Sequence, residues 1–242
     1  VARLAEELAA KGYARDLLVM NGNGGMVAAK DVAREAVKTV MSGPASGVMA
    51  AVATGRRAGM ANLLTYDMGG TSTDVAMIKA GVAPVSNEIE VEYAMPIHVP
   101  MVDVRTVGAG GGSIARIDAG GMLRVGPESA GSTPGPVCYG RGGTKVTISD
   151  ANLILGRLPA SRFGQAAQAA HQAMEDQIAT PLGLSVEAAA EAVIRIANTH
   201  MAGAIRMVSI SMGADPRDFA LFAFGGAGPL HAVALARELN VP

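Results

Sequence analysis

Apolar residues recur at helical spacing over residues 2–11 (ARLAEELAAK), and Gly12 follows as a C-terminal stop. The short apolar run in "RDLLVMN" predicts a strand that leads into the loop "GNGG". "AKDVAREAVKTV" and "ASGVMAAVATGRRAG" read as helices flanking a tight turn at "SGPASG". "NLLTYD" is an apolar strand, and "TDVAMIKAG" a second one after a glycine turn. Residues 82–107 are β-rich and interrupted by Pro84, Pro96 and Pro100. "IARID" and "MLRVG", joined by "AGG", predict a hairpin.

Residues 126–143 are rich in Gly and Pro and lack periodicity, so they read as a long ordered loop of the kind that serves function or moves. Helical patterns then dominate, over 164–179 and over 185–213, the second capped by Ser185 and ended near Gly213. They mark a helical subregion at 160–213. "FALFAF" predicts a buried strand, "GGAG" a turn, and "PLHAVALAREL" a helix with Pro229 at a favoured first position. Alternating strands and helices put the chain in the α/β class.

Composition changes the picture in three ways. With 20 basic and 21 acidic residues and no basic run, nothing offers a face to nucleic acid. No apolar stretch reaches membrane-spanning length, so neither a nucleic-acid nor a membrane partner is expected. A single cysteine, Cys138, excludes an internal disulfide and fits a reducing, cytoplasmic setting. The chain opens at Val1 in a helical pattern and stops at Pro242, which reads as a fragment of something longer.

The chemistry gathers at "YDMGGTSTDV". The residues after the glycines are β-branched and roughly alternating, so the motif reads strand–glycine turn–strand. Such a turn can aim successive backbone N–H groups at one anionic oxygen. Gly69 and Gly70 let a ligand approach, and Thr71, Ser72 and Thr73 add hydroxyls. Asp67 is placed to hold a hydrated Mg²⁺, Asp74 lies on the far side of the turn as a second acid, and the two are the candidate catalytic residues. An ordinary polar hairpin explains the same residues, and composition alone leaves both open.

"DMGGTSTDV" resembles a phosphate loop of the actin/Hsp70/sugar-kinase ATPases. With "TVMSGPASGV", "TVGAGGGSIARID", "VGPESAGSTPGPVCYGRGG", "TISDANLILGRL" and "FAFGGAGPLHA" in order, the chain resembles the hydantoinase A/5-oxoprolinase family over nearly its whole length. "MNGNGG" departs from the family, with Asn21 and Gly22 where Gln and Ser are expected.

The resemblance implies an actin-like fold with two ribonuclease-H-like halves, an amino-terminal phosphate-loop domain outside this chain, and ATP with Mg²⁺ as cofactors. It implies cleavage of a cyclic amide after phosphorylation of its carbonyl oxygen, in concert with a second, hydantoinase B-type subunit or domain. An acetone-carboxylase-like role and a non-catalytic nucleotide-binding module are the alternatives. By the same resemblance Gly225, Gly226, Ala227 and Gly228 contact nucleotide.

Other positions are less decided. Gly108, Gly110, Gly111, Gly112 and Ser113 are expected to face substrate or phosphate, though a connector into the hairpin reads equally from the residues. His231 and Cys138 are expected to be structural, and the four scattered histidines show no zinc spacing.

Overall fold

The computed structural model describes residues 1–87, 89–92 and 95–242, and side chains outside 88–97. It divides into two compact units, one of residues 1–63 and 76–104, the other of 64–75 and 105–242.

The first unit opens with helix α1 (Ala2–Ala10), closed at Gly12 with φ +88°. Strands β1 (Leu18–Met20) and β2 (Met26–Ala28) pair antiparallel around the "NGNGG" loop. Residues 29–40, expected as an α-helix, form two 3₁₀ segments, Ala29–Arg34 and Ala36–Thr39. Only Val32 of these is buried, so no packed face offsets the cost of ordering a short helix rich in β-branched residues. Helix α2 (Ser42–Arg57) starts earlier than the pattern implied. Pro44 lies inside its first turn, where a missing N–H costs nothing.

Strands β3 (Leu63–Met68) and β4 (Thr73–Ile78) follow, each divided between the units. Short ribbons complete the first unit. They comprise β5 (Val85–Ser86), β6 (Ile89–Glu92), β7 (Met95–Ile97) and β8 (Met101–Val102), paired β5–β8 and β6–β7. Positions 88, 93 and 94 of the expected β-rich stretch lie outside the described residues.

The second unit carries the main sheet. Its order is β12–β3–β4–β9, with β9 at Arg105–Val107 and β12 at Ala220–Phe224. The hairpin β10 (Ser113–Ile117) and β11 (Leu123–Ser129) forms as expected, Ile117 opposite Leu123. Helix α3 (Ile148–Ile154) starts at a capping box, the Thr147 hydroxyl and the Asp150 carboxylate each accepting from the other residue's backbone N–H.

The expected helix over 164–179 runs as α4 (Gln165–Met174), a π-turn at Glu175–Ala179, and the short α5 (Thr180–Leu182). Helix α6 (Val186–Ser211) buries one side from Val186 to Ser209 and is capped by Ser185. Strand β12, expected to be buried, is half-buried along its length because it lies at the sheet edge. Helix α7 (Gly228–Leu239) packs on α6 and β12.

Candidate functional site

The second unit gathers three separate glycine-rich motifs at the carboxyl end of β3. The 69–72 turn closes with Gly69 N–H donating to the Ser72 carbonyl at 3.0 Å. Beneath it lies "AGGGS". A methyl group at Gly110 would stand 2.5–2.7 Å from the backbone of Thr71 and Ser72, so the glycine is there for contact between two backbone segments. Beside it lies "GGAG", where Ala227 N–H donates to the Met68 carbonyl at 3.0 Å. Gly225, at φ +82°, packs so tightly on Met68 and the Asp67 carboxylate that no side chain would fit. The carboxyl ends of β3 and β12 thus lie side by side. In open α/β sheets that is where ligands bind.

Backbone polarity at the turn is sorted. The Gly69 carbonyl accepts from Gly111 N–H at 3.0 Å, and the Gly70 carbonyl from Gly112 N–H at 2.6 Å. The N–H groups of Gly70, Thr71 and Ser72 find no partner among the described residues. Gly70 and Thr71 are exposed, and Gly70 has open space where a side chain would stand. Gly226 N–H is likewise unpartnered among the described residues and has open space beside it, at the start of the twelve-residue helix α7. Donors without acceptors, next to a helix amino terminus, suit an anion.

Two carboxylates stand by this concavity. Asp67 is half-buried, and its carboxyl is held above the usual range by burial first and by the Asp74 charge second. Asp74 accepts a hydrogen bond from the Thr106 hydroxyl at 2.6 Å. A cation between such groups and a polyanion would offset both the burial of the Asp67 charge and its repulsion by Asp74. The described residues hold no group of three or more His, Cys, Asp or Glu suited to a metal. A hydrated Mg²⁺ fits this donor set, since it takes one or two carboxylates and completes its shell with water and phosphate.

Several expected positions behave differently. Thr73 is fully buried and its hydroxyl donates to the Ala109 carbonyl, so it does not face the concavity. The expected ligand-facing loop 110–113 is buried and internally bonded. Gly110 N–H donates to Ser113 Oγ at 2.9 Å, Ser113 N–H returns to Gly110, and the Gly111 and Gly112 amides are spent on the turn. Gly108 borders instead a groove of about 1020 Å³ between the β10–β11 hairpin and α6, lined also by Arg116, Ile196, His200 and Met207. In sequence, glycine that admits a ligand and glycine that admits backbone look alike.

The structural expectations for two reactive groups agree with their surroundings. Cys138 is buried with its thiol pushed up by burial and by Asp150. His231 is fully buried. Its Nδ1 lies 2.7 Å from Asn198 Oδ1 and its Nε2 3.1 Å from Asn152 Nδ2, a pairing that suits a neutral ring protonated at Nδ1. In the first unit, a side chain at Gly22 would collide with the Val40 carbonyl and press on Met101, so the position has room for glycine alone. The neighbouring Asn21 Oδ1 is buried without a partner among the described residues.

The family model described as hydantoinase/oxoprolinase matches residues 1–242. The chain belongs to that family. The alpha subunit of caprolactamase from Pseudomonas jessenii is 46% identical, over 98% of this chain and 34% of the relative. The solved ATP-dependent caprolactamase of that organism superposes with TM-score 0.81 at 42% identity, covering 99% of this chain and 36% of that one. A nucleotide-free acetone carboxylase superposes with TM-score 0.86 at 34% identity, covering 99% and 34%. This member of the hydantoinase/oxoprolinase family therefore spans about a third of the length of the caprolactamase and acetone carboxylase subunits it matches, and less than a fifth of the 5-oxoprolinases. Among the described residues, no helix is long and apolar enough to cross a membrane.

Proposed function

We propose that the chain forms the ATP-binding part of an ATP-dependent cyclic-amide hydrolase of the hydantoinase/5-oxoprolinase type, built on an actin-like fold. Its second phosphate loop is the 69–72 turn; the first lies in an amino-terminal domain outside these residues. One observation carries the reading: three successive amides, Gly70 to Ser72, without partners among the described residues and next to Asp67 and the start of α7, with Gly70 and Thr71 exposed. Relatives that are ATP-dependent by name support it.

In this reading the Gly70–Ser72 amides and the Gly226 amide hold phosphate oxygens. Asp67, with Asp74 behind it, holds the hydrated Mg²⁺. Bound Mg·ATP supplies a phosphoryl group, which on a lactam carbonyl oxygen gives the ring carbon a leaving group that an unstrained amide lacks. Thr71 and Ser72 hydroxyls border the amides and add donors that can rotate to suit an oxygen. Ring opening itself requires a hydantoinase B-type partner. The work is cytoplasmic.

Carboxylation of a ketone is the second reading, favoured by the TM-score of 0.86 to acetone carboxylase. ADP release by the full-length protein and its partner subunit separates the two. We expect stimulation by a lactam such as caprolactam or 5-oxoproline, or by a hydantoin. Stimulation only by a ketone with bicarbonate would overturn the hydrolase reading in favour of the carboxylase.

A further inference from the structure

Two glycine-containing peptides head the cradle, and glycine holds a peptide plane in place less firmly than any other residue. In a trans peptide the carbonyl and the following N–H point to opposite sides. The Gly69 carbonyl, engaged by Gly111 N–H, therefore directs Gly70 N–H away from the 110–113 segment. The Gly70 carbonyl, engaged by Gly112 N–H, does the same for Thr71 N–H.

We infer that the buried segment 109–113 is a lock against peptide flips, holding two carbonyls down so that two amides face the phosphate, and that Thr73 is its positioning residue. The inference rests on the phosphate-cradle reading above. Were either peptide to flip, a carbonyl oxygen would replace a donor and repel the ligand.

The lock is itself held on every side. The Thr73 hydroxyl donates to the Ala109 carbonyl at one end, and Ser113 Oγ receives Gly110 N–H within it. The carbonyls of Gly111 and Gly112 accept from Ser149 N–H and Ala130 N–H, each at 2.8 Å. Ser149 belongs to the first turn of α3, which the Thr147–Asp150 capping box fixes. Asp150, fully buried, also accepts from Cys138 N–H at 2.7 Å. Residues 126–129 of the expected loop belong to β11, and the remainder, 130–143, thereby joins the support of the cradle through Ala130 and Cys138, without facing the ligand through either.

Steady-state kinetics of Mg·ATP use by the full-length protein, with thermal melts of the same samples, test the lock. The variants are Thr73→Val, which keeps the shape and removes the hydroxyl, and Thr73→Ser, which restores it. We expect Thr73→Val to raise KM for Mg·ATP by about tenfold or more, the scale of one lost hydrogen bond to a charged group. Thr73→Ser should return KM to within about twofold of wild type on the same scale.

A Thr73→Val protein that melts earlier but keeps the wild-type KM would overturn the lock, because Thr73 would then be structural only. If Thr73→Val does not fold, Ser113→Ala, which removes the acceptor for Gly110 N–H, replaces it with the same expectation and the same contrary result. A wild-type protein with no affinity for Mg·ATP would overturn the cradle reading first. Wild-type affinity with indifferent variants overturns the lock alone.

Discussion

A methyl group at Gly110 would collide with backbone on both sides of the Thr71–Ser72 peptide, and backbone cannot rotate away as a side chain can. Gly110→Ala should therefore cost both stability, by about 2 kcal/mol or more, and Mg·ATP affinity. Melting and nucleotide titration of one sample check the pairing; a normal melt would contradict the close packing. Gly225→Ala meets the same fate for two reasons, a positive φ of 82° and the Met68 carbonyl 2.6 Å from the added carbon. Asp67→Ala is different. It removes a half-buried carboxylate that its surroundings already penalise, so stability should hold while Mg²⁺-dependent nucleotide binding falls about tenfold or more. A variant that binds Mg·ATP as wild type does would remove Asp67 from the metal role. At this scale the sequence was half legible. Strand–turn–strand followed from β-branched alternation after the glycines. That Thr73 points inward while Thr71 and Ser72 stay at the surface is set by burial under α6 and the 109–113 segment, and no local pattern encodes it.

Helices α3, α6 and α7 meet at His231, whose ring bridges Asn152 and Asn198. Burial, with Arg157 as a lesser cause, lowers its pKa to about 4 from an ordinary value near 6.5. The unfolded chain thus binds a proton that the folded one refuses between those values, so stability rises with pH across the window. The contribution is complete above about 6.5 and is lost as pH falls towards 4, amounting to about 3 kcal/mol at most. Melts of the full-length protein from pH 7 to pH 5 should show a steeper acid loss in wild type than in His231→Gln. Equal slopes would contradict the neutral buried ring. Elements with a strong signal were readable in advance: the Ser185 cap and Gly213 stop of α6, the β10–β11 hairpin, and Pro229 at the start of α7. Residues 29–40 were not. Their helical spacing lacked a surface to bury against, and the chain took 3₁₀ turns instead.

Across the second unit, motifs separated by up to about 160 positions close on one spot, because β3 and β12 are neighbours in the sheet and the 110–113 segment packs beneath the turn. Sequence could supply the motifs and their resemblance to the hydantoinase/oxoprolinase family, but not which of them face outward. Two of the three glycine clusters prove to be largely packing, and among the described residues they leave the Gly70–Ser72 amides and the Gly226 amide as donors without partners. Substitution at Gly70 separates ligand binding from folding more cleanly than any other, because a side chain there meets open space in the free protein. Calorimetric titration of Mg·ATP into full-length wild-type protein and Gly70→Val is the direct test. The account predicts that Gly70→Val melts like wild type and loses affinity by about tenfold or more. Equal affinity in the two would mean that the turn merely reverses the chain.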